Sequence, residues 1–166
     1  IKGKLSLRWT HRMRLPPQAA WPPPAKQDFW HKKYTLKPRV TYDRAFHLVG
    51  AGNQVYLASS ADDQARCLSL VDGRELWTHF AGAPIRLAPT LAGDRLLIGA
   101  DDGNIRCLRT IDGKLIWKAQ PPDLGSRIIP GNGRMIHQHP IRTGILVDGQ
   151  TAYCGAGLFP TQGTYL

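Results

Sequence analysis

The sequence predicts an all-β protein built of β-propeller blades of four antiparallel strands, and three observations predict it. A stretch is written twice: Cys67-Leu68-Ser69-Leu70-Val71-Asp72-Gly73-Arg74-Glu75-Leu76-Trp77, then Cys107-Leu108-Arg109-Thr110-Ile111-Asp112-Gly113-Lys114-Leu115-Ile116-Trp117. The copies lie 40 residues apart. A period near 40 with a strand-turn-strand unit is the sequence form of a propeller blade. In each copy Asp-Gly stands between two apolar runs, the strongest short-range signal for a hairpin.

Residues 1–44 read as a basic, Pro-rich arm, or as the end of a preceding blade. Leu5, Leu7 and Trp9 alternate as in a half-buried strand. Gly3-Lys4 with Trp9 loosely echoes Gly73-Arg74 with Trp77. Pro16-Pro17 and Pro22-Pro23-Pro24 exclude a helix and a central strand there, so residues 15–45 read as an extended connection of polyproline character. Trp21, Phe29, Trp30 and Tyr34 would pin it to the domain. Such a segment also has the composition of an SH3 or WW ligand.

The repeats occupy residues 45–166. Blade one covers about 45–81, with strands at Phe46–Val49, Gln54–Ser59, Ala65–Leu70 and Glu75–Phe80. Blade two covers about 82–120, with its inner strand at Ile85–Thr90, a second at Arg95–Ala100, and a last hairpin of Ile105–Thr110 and Lys114–Lys118. Gly52 to Gly93 is 41 residues, one more than the Trp spacing, which places an extra residue in the turn after Ser59. Residues 121–138 read as an irregular insertion, with Pro130-Gly131-Asn132-Gly133 as a turn. Blade three resumes at about 139–166, its inner strand at His139–Leu146 and its second at Thr151–Ala156. A fourth strand with its Gly and Trp is not reached, and blades are unstable singly. The chain therefore reads as part of a longer protein.

Charge is uneven. The net charge of +10 comes from the arm: residues 1–44 hold 11 Lys/Arg against Asp28 and Asp43, whereas 45–166 hold 11 Lys/Arg against 10 Asp/Glu. A basic arm can touch nucleic acid or acidic lipid. It lacks the fold motifs of a nucleic-acid reader, so a solvated strap is the expectation. No apolar run approaches the ~18–20 residues a membrane helix needs. Three cysteines with no Cys-x-x-Cys exclude a zinc ribbon and a thioredoxin-type site. Equivalent positions of neighbouring blades need not reach bridging distance, so Cys67, Cys107 and Cys154 are read as small buried hydrophobes.

The repeated stretch resembles the tryptophan-docking repeat of the pyrroloquinoline-quinone (PQQ) type β-propellers, Ala-x-Asp-x-x-Thr-Gly-x-x-x-Trp. Cys67 and Cys107 stand at its Ala, Ser69 and Arg109 at its Asp, and Asp72 and Asp112 at its Thr. Gly73, Gly113, Trp77 and Trp117 fit. Residues 140–165 are similar to a subgroup found in bacterial envelope proteins, the BamB family of outer-membrane assembly scaffolds. The resemblance implies that Gly73, Trp77, Gly113 and Trp117 dock blade to blade. It also implies a periplasmic or cell-envelope location and protein or peptide partners. Its redox relatives hold PQQ and calcium with an acidic residue and Asn, and many place adjacent cysteines over the cofactor. No Cys-Cys pair stands here.

No catalytic constellation emerges from the residues, and no metal site and no cofactor are expected. Arg86 and Arg142 fall seven residues before Gly93 and Gly149. Inner strands line the channel of a propeller, so these arginines are candidate ligand-binding residues for an anion such as a quinone carboxylate or an acidic peptide. The alternative is a structural role on neighbouring carbonyls. Asp62-Asp63 and Asp101-Asp102-Gly103 read as turns without EF-hand spacing. His137 and His139 share a face but show no third ligand, so they are expected to face solvent or the channel, while His31 and His47 stand alone. Two functions follow: a non-enzymatic scaffold for protein contacts in the envelope, or part of a PQQ-dependent dehydrogenase.

Overall fold

The computed structural model describes residues 4–18, 20, 33–34, 46–121, 127–131, 133–158 and 163–166. Its strands pair only with their sequence neighbours. Blade one is β1 (His47–Ala51), β2 (Gln54–Ala58), β3 (Gln64–Ser69) and β4 (Glu75–Phe80), in the order β1-β2-β3-β4. Blade two repeats it with β5 (Thr90–Ala92), β6 (Arg95–Gly99), β7 (Ile105–Arg109) and β8 (Leu115–Ala119). All these pairings are antiparallel.

Copied sequence gives copied local structure. The β3–β4 and β7–β8 pairings shift register at the same place, between Cys67 and Leu68 and between Cys107 and Leu108. Both hairpins close through a glycine in the left-handed region, Gly73 at φ 73° and Gly113 at φ 68°. The preceding aspartate caps each turn, Asp72 accepting from the Arg74 amide and Asp112 from the Lys114 amide.

Side chains of one pleat face pack against the other face of the next blade. Tyr56, Cys67 and Trp77 are cross-strand neighbours in blade one, and they join a buried cluster with Leu96, Ile98 and Leu108 of blade two. One residue along, Leu97 faces the other way and packs with Ile141, Ile145 and Cys154, with half-buried Trp117 against them. The Cys67, Cys107 and Cys154 thiols are all free.

Three elements depart from the sequence reading. The inner strands begin late: β5 starts at Thr90, not Ile85, and the third blade's β11 (Leu146–Asp148) pairs with β12 (Thr151–Tyr153). Pro84, Pro89 and Pro140 lack the amides a strand needs at those points. The residues ahead of each strand instead lie on the previous blade, the Ile85 amide donating to Ser59 O and the Ile141 amide to Ala100 O. Blade three adds single bridges from Ala156 to Ile141 and to Tyr165. The insertion expected to be irregular contains a hairpin, β9 (Ile128–Gly131) with β10 (Arg134–His137). Finally, Lys33 and Tyr34 are helical, where an extended connection was expected. They stand between Pro24 and Pro38, in a stretch with no proline to forbid a turn. The rest of residues 21–45, with Trp21, Phe29, Trp30, His31 and most of the expected connection, lies outside the described residues, as do Ala19, Asn132 and residues 122–126 and 159–162.

Candidate functional site

Trp77 lies across Gly113 of the next blade. A Cβ on Gly113 would stand 2.4 Å from Trp77 Cε3, and Trp77 Nε1 donates to Thr110 O at 2.8 Å. Trp9 repeats this pose one blade earlier. Its Cε3 is 2.5 Å from a Cβ built on Gly73, and its Nε1 donates to Leu70 O at 2.8 Å. The indole needs a bare backbone to lie flat on and a carbonyl for its N–H. Trp117 meets no glycine of this kind among the described residues. It borders an open groove of about 650 Å³ lined by Ala92, Leu97, Cys107, Val147, Gly149 and Ala152.

The opposite end of the blades carries the buried ion pairs. Arg66 pairs with Asp62 and Arg106 with Asp102, four residues apart in each copy. Between the copies the turn differs. Blade one has Ser60-Ala61 where blade two has the single residue Asp101, which is the extra residue that the glycine spacing indicates. Asp101 is fully buried. Arg86 Nε meets its Oδ2 at 2.7 Å, Arg142 Nε meets its Oδ1 at 2.9 Å, and Arg142 Nη2 meets Oδ2 at 3.0 Å. Its backbone joins too, its amide donating to Pro84 O and its carbonyl accepting from the His137 amide. One residue thus ties the link between blades one and two and the start of blade three through its carboxylate, and the insertion through its backbone carbonyl.

Arg86 and Arg142 do converge, but they share the one carboxylate of Asp101 and both side chains are at most a tenth exposed. They form a closed triad, not an open basic rim. Arg86 Nη1 additionally donates to Gln18 O at 2.8 Å, and the Gln18 amide donates to Ser60 Oγ at 3.0 Å. The arm therefore crosses the turns at this end.

Asp63 occupies the position of Gly103. It is the non-glycine residue with positive φ among the described residues, at 61° against 77° for Gly103. Its Oδ2 binds Arg134 of β10, while Oδ1 is buried without a hydrogen bond. Burial pushes its carboxyl above the usual aspartate value, against the opposing pull of Arg134. His137 and His139, expected at solvent or the channel, are buried. The His137 ring packs on Gly103, and the His139 amide donates to His137 Nδ1 at 3.1 Å. His139 makes an edge contact with Tyr165 at 5.1 Å.

Among the described residues no group of three or more His, Cys, Asp or Glu stands close enough to share a metal ion. The carboxylates of Asp62, Asp63, Asp101 and Asp102 are each engaged by a guanidinium. These residues do not fit a calcium–quinone pair, whose cation would compete with arginines for the same oxygens. The sequence reading missed the roles of Asp101, Ser60, Gln18 and Arg134. For Asp101 there was a signal: the second copy carries a carboxylate where the first has Ser60-Ala61.

Four-stranded blades sewn together by tryptophan on glycine define a β-propeller of the PQQ-like class. A family model described as outer membrane protein assembly factor BamB matches residues 19–164, and the chain belongs to that family. No curated protein sequence matches the chain. Solved structures share its fold. Quinohemoprotein alcohol dehydrogenase ADHIIG from Pseudomonas putida HK5 is 14% identical with a TM-score of 0.56, covering 72% of this chain and 18% of that one. The quinohemoprotein alcohol dehydrogenase from Comamonas testosteroni is 17% identical with a TM-score of 0.53, covering 67% and 17%. BamB from Moraxella catarrhalis is 12% identical with a TM-score of 0.44, covering 68% and 46%. The chain spans less than half the length of each of these three structures.

Proposed function

We propose that the chain is a non-enzymatic propeller segment that scaffolds protein or peptide contacts in the bacterial cell envelope. The observation that carries the proposal is the closed triad. Arg86 and Arg142, the candidate ligand-binding residues, instead share the buried carboxylate of Asp101. Such a triad holds blades together and leaves no base or electrophile exposed to a substrate. Membership of the BamB family supports the same reading, as does the envelope setting that family implies.

The test is a titration of the full chain with PQQ and calcium, followed by quinone absorbance and dye-linked alcohol oxidation. The scaffold reading expects neither a bound-quinone spectrum nor turnover. Either signal would replace it with the dehydrogenase reading.

A further inference from the structure

The triad is asymmetric in a way that singles out one arginine. Arg142 bonds Asp101 in the turn of the blade before it. Arg86 holds the equivalent position one blade earlier, and the turn before it carries Ser60-Ala61 in place of an aspartate. The missing acceptor is supplied by the main chain of the arm. Gln18 O accepts from Arg86 Nη1, and the Gln18 amide donates to Ser60 Oγ. Both backbone groups of one residue are thereby read by two buried side chains. Gln18 itself is exposed, so the contact does not depend on its side chain. Asp101 fixes the Arg86 guanidinium from the other side, which pre-organises it. Ala20 is buried just beyond.

We propose that Ser60 and Arg86 form a cradle that reads an extended peptide through its backbone, filled in this chain by Gln18 and open by exchange to an extended, proline-flanked segment of a partner protein. The partner half of this proposal rests on the scaffold reading. Pro16 and Pro17 lead into Gln18 and favour a polyproline approach to the cradle. Trp9 remains docked on Gly73 nine residues earlier. The arm is thus a tethered competitor, at an effective concentration in the millimolar range. An incoming segment would displace Gln18 without detaching the arm.

The test uses the full chain. Trypsin cleavage after Arg12 and Arg14 reads how firmly the arm is held. Gln18→Ala keeps both backbone groups and leaves cleavage at the wild-type rate. Gln18→Pro removes the amide donor and raises the rate about tenfold, the worth of one such hydrogen bond. A labelled peptide Leu-Pro-Pro-Gln-Ala-Ala is then titrated and followed by fluorescence anisotropy. It binds the Gln18→Pro chain saturably, binds wild type about tenfold more weakly because the arm competes, and loses binding when Ser60→Ala is added to Gln18→Pro. Equal cleavage of the Ala and Pro variants overturns the cradle. Faster cleavage of the Pro variant without peptide binding overturns the exchange. Quinone binding, measured separately, would overturn the scaffold reading and leave the cradle standing.

Discussion

Replacing Asp101 with Asn is the sharpest probe of how these blades are held. The change keeps the side-chain shape and removes the charge between two buried guanidinium groups. Three short contacts, from 2.7 to 3.0 Å, lose their ionic character. An amide presents one acceptor oxygen and one NH₂, and the NH₂ would then face an arginine donor. Removing one partner of a buried ion pair costs about 3–5 kcal/mol, because the charge left behind is uncompensated. With a urea slope of about 2 kcal/mol per molar, the midpoint falls by about 1.5–2.5 M at unchanged slope. The control is Asp94→Asn. Its carboxylate is largely exposed and 3.9 Å from Arg95, so its midpoint barely moves. Adding Arg142→Met to Asp101→Asn removes one stranded charge and recovers part of the loss. A midpoint for Asp101→Asn within error of Asp94→Asn would refute the argument that this carboxylate staples the blades.

Three further outcomes follow from the same contacts. Gly113→Ala places a methyl group 2.4 Å from Trp77 at positive φ and costs about 2–4 kcal/mol in urea unfolding, whereas Gly93→Ala, with φ 62° and open space, costs about 1 kcal/mol. Burial pushes the Cys67 thiol up to about 11 and raises those of Cys107 and Cys154, so a disulfide exchange reagent at pH 8 labels none of the three until denaturant is added; fast labelling of the folded chain would contradict their burial. Asp63 has a raised carboxyl, so the folded state binds its proton more tightly than the unfolded chain does. Its contribution to stability therefore grows as pH falls from that raised value towards 3.8, and Asp63→Asn flattens the stability–pH profile in that window.

The blades were legible because their signals are local. Asp-Gly between apolar runs specifies a hairpin through the backbone freedom of Gly73 and Gly113 alone. The 40-residue period then placed Trp77 and Trp117 on corresponding strands. The late start of β5 and β11 was harder to read, because Ile85 and Ile141 look like strand residues. Their amides bond the previous blade, a contact between segments that no local pattern announces. The hairpin β9–β10 was hidden by Pro130, which stands in β9 of a two-stranded sheet where a missing amide is tolerated. The triad was half legible. Equivalent spacing picked out Arg86 and Arg142, but an arginine on an inner strand reads the same whether it faces a channel or a buried carboxylate. The partner decides, and Asp101 in an Asp-Asp-Gly run looks like any polar turn.

The copies agree and differ at opposite ends of the blades, and that division bears on function. At the Trp–Gly end, Trp9 on Gly73 and Trp77 on Gly113 repeat one geometry, down to the indole hydrogen bond of 2.8 Å. At the other end, Ser60-Ala61 replaces Asp101, Asp63 replaces Gly103, and an inserted hairpin sends Arg134 back to Asp63. Asp63 also keeps a left-handed backbone that glycine would adopt at less cost, and it buries an oxygen without a hydrogen bond. Those departures carry energetic costs that the Trp–Gly end avoids. A position free to relax to the repeat would shed them. The arm lies across the turn end, with Gln18 on Ser60 and Arg86, and it is there that a partner would be read.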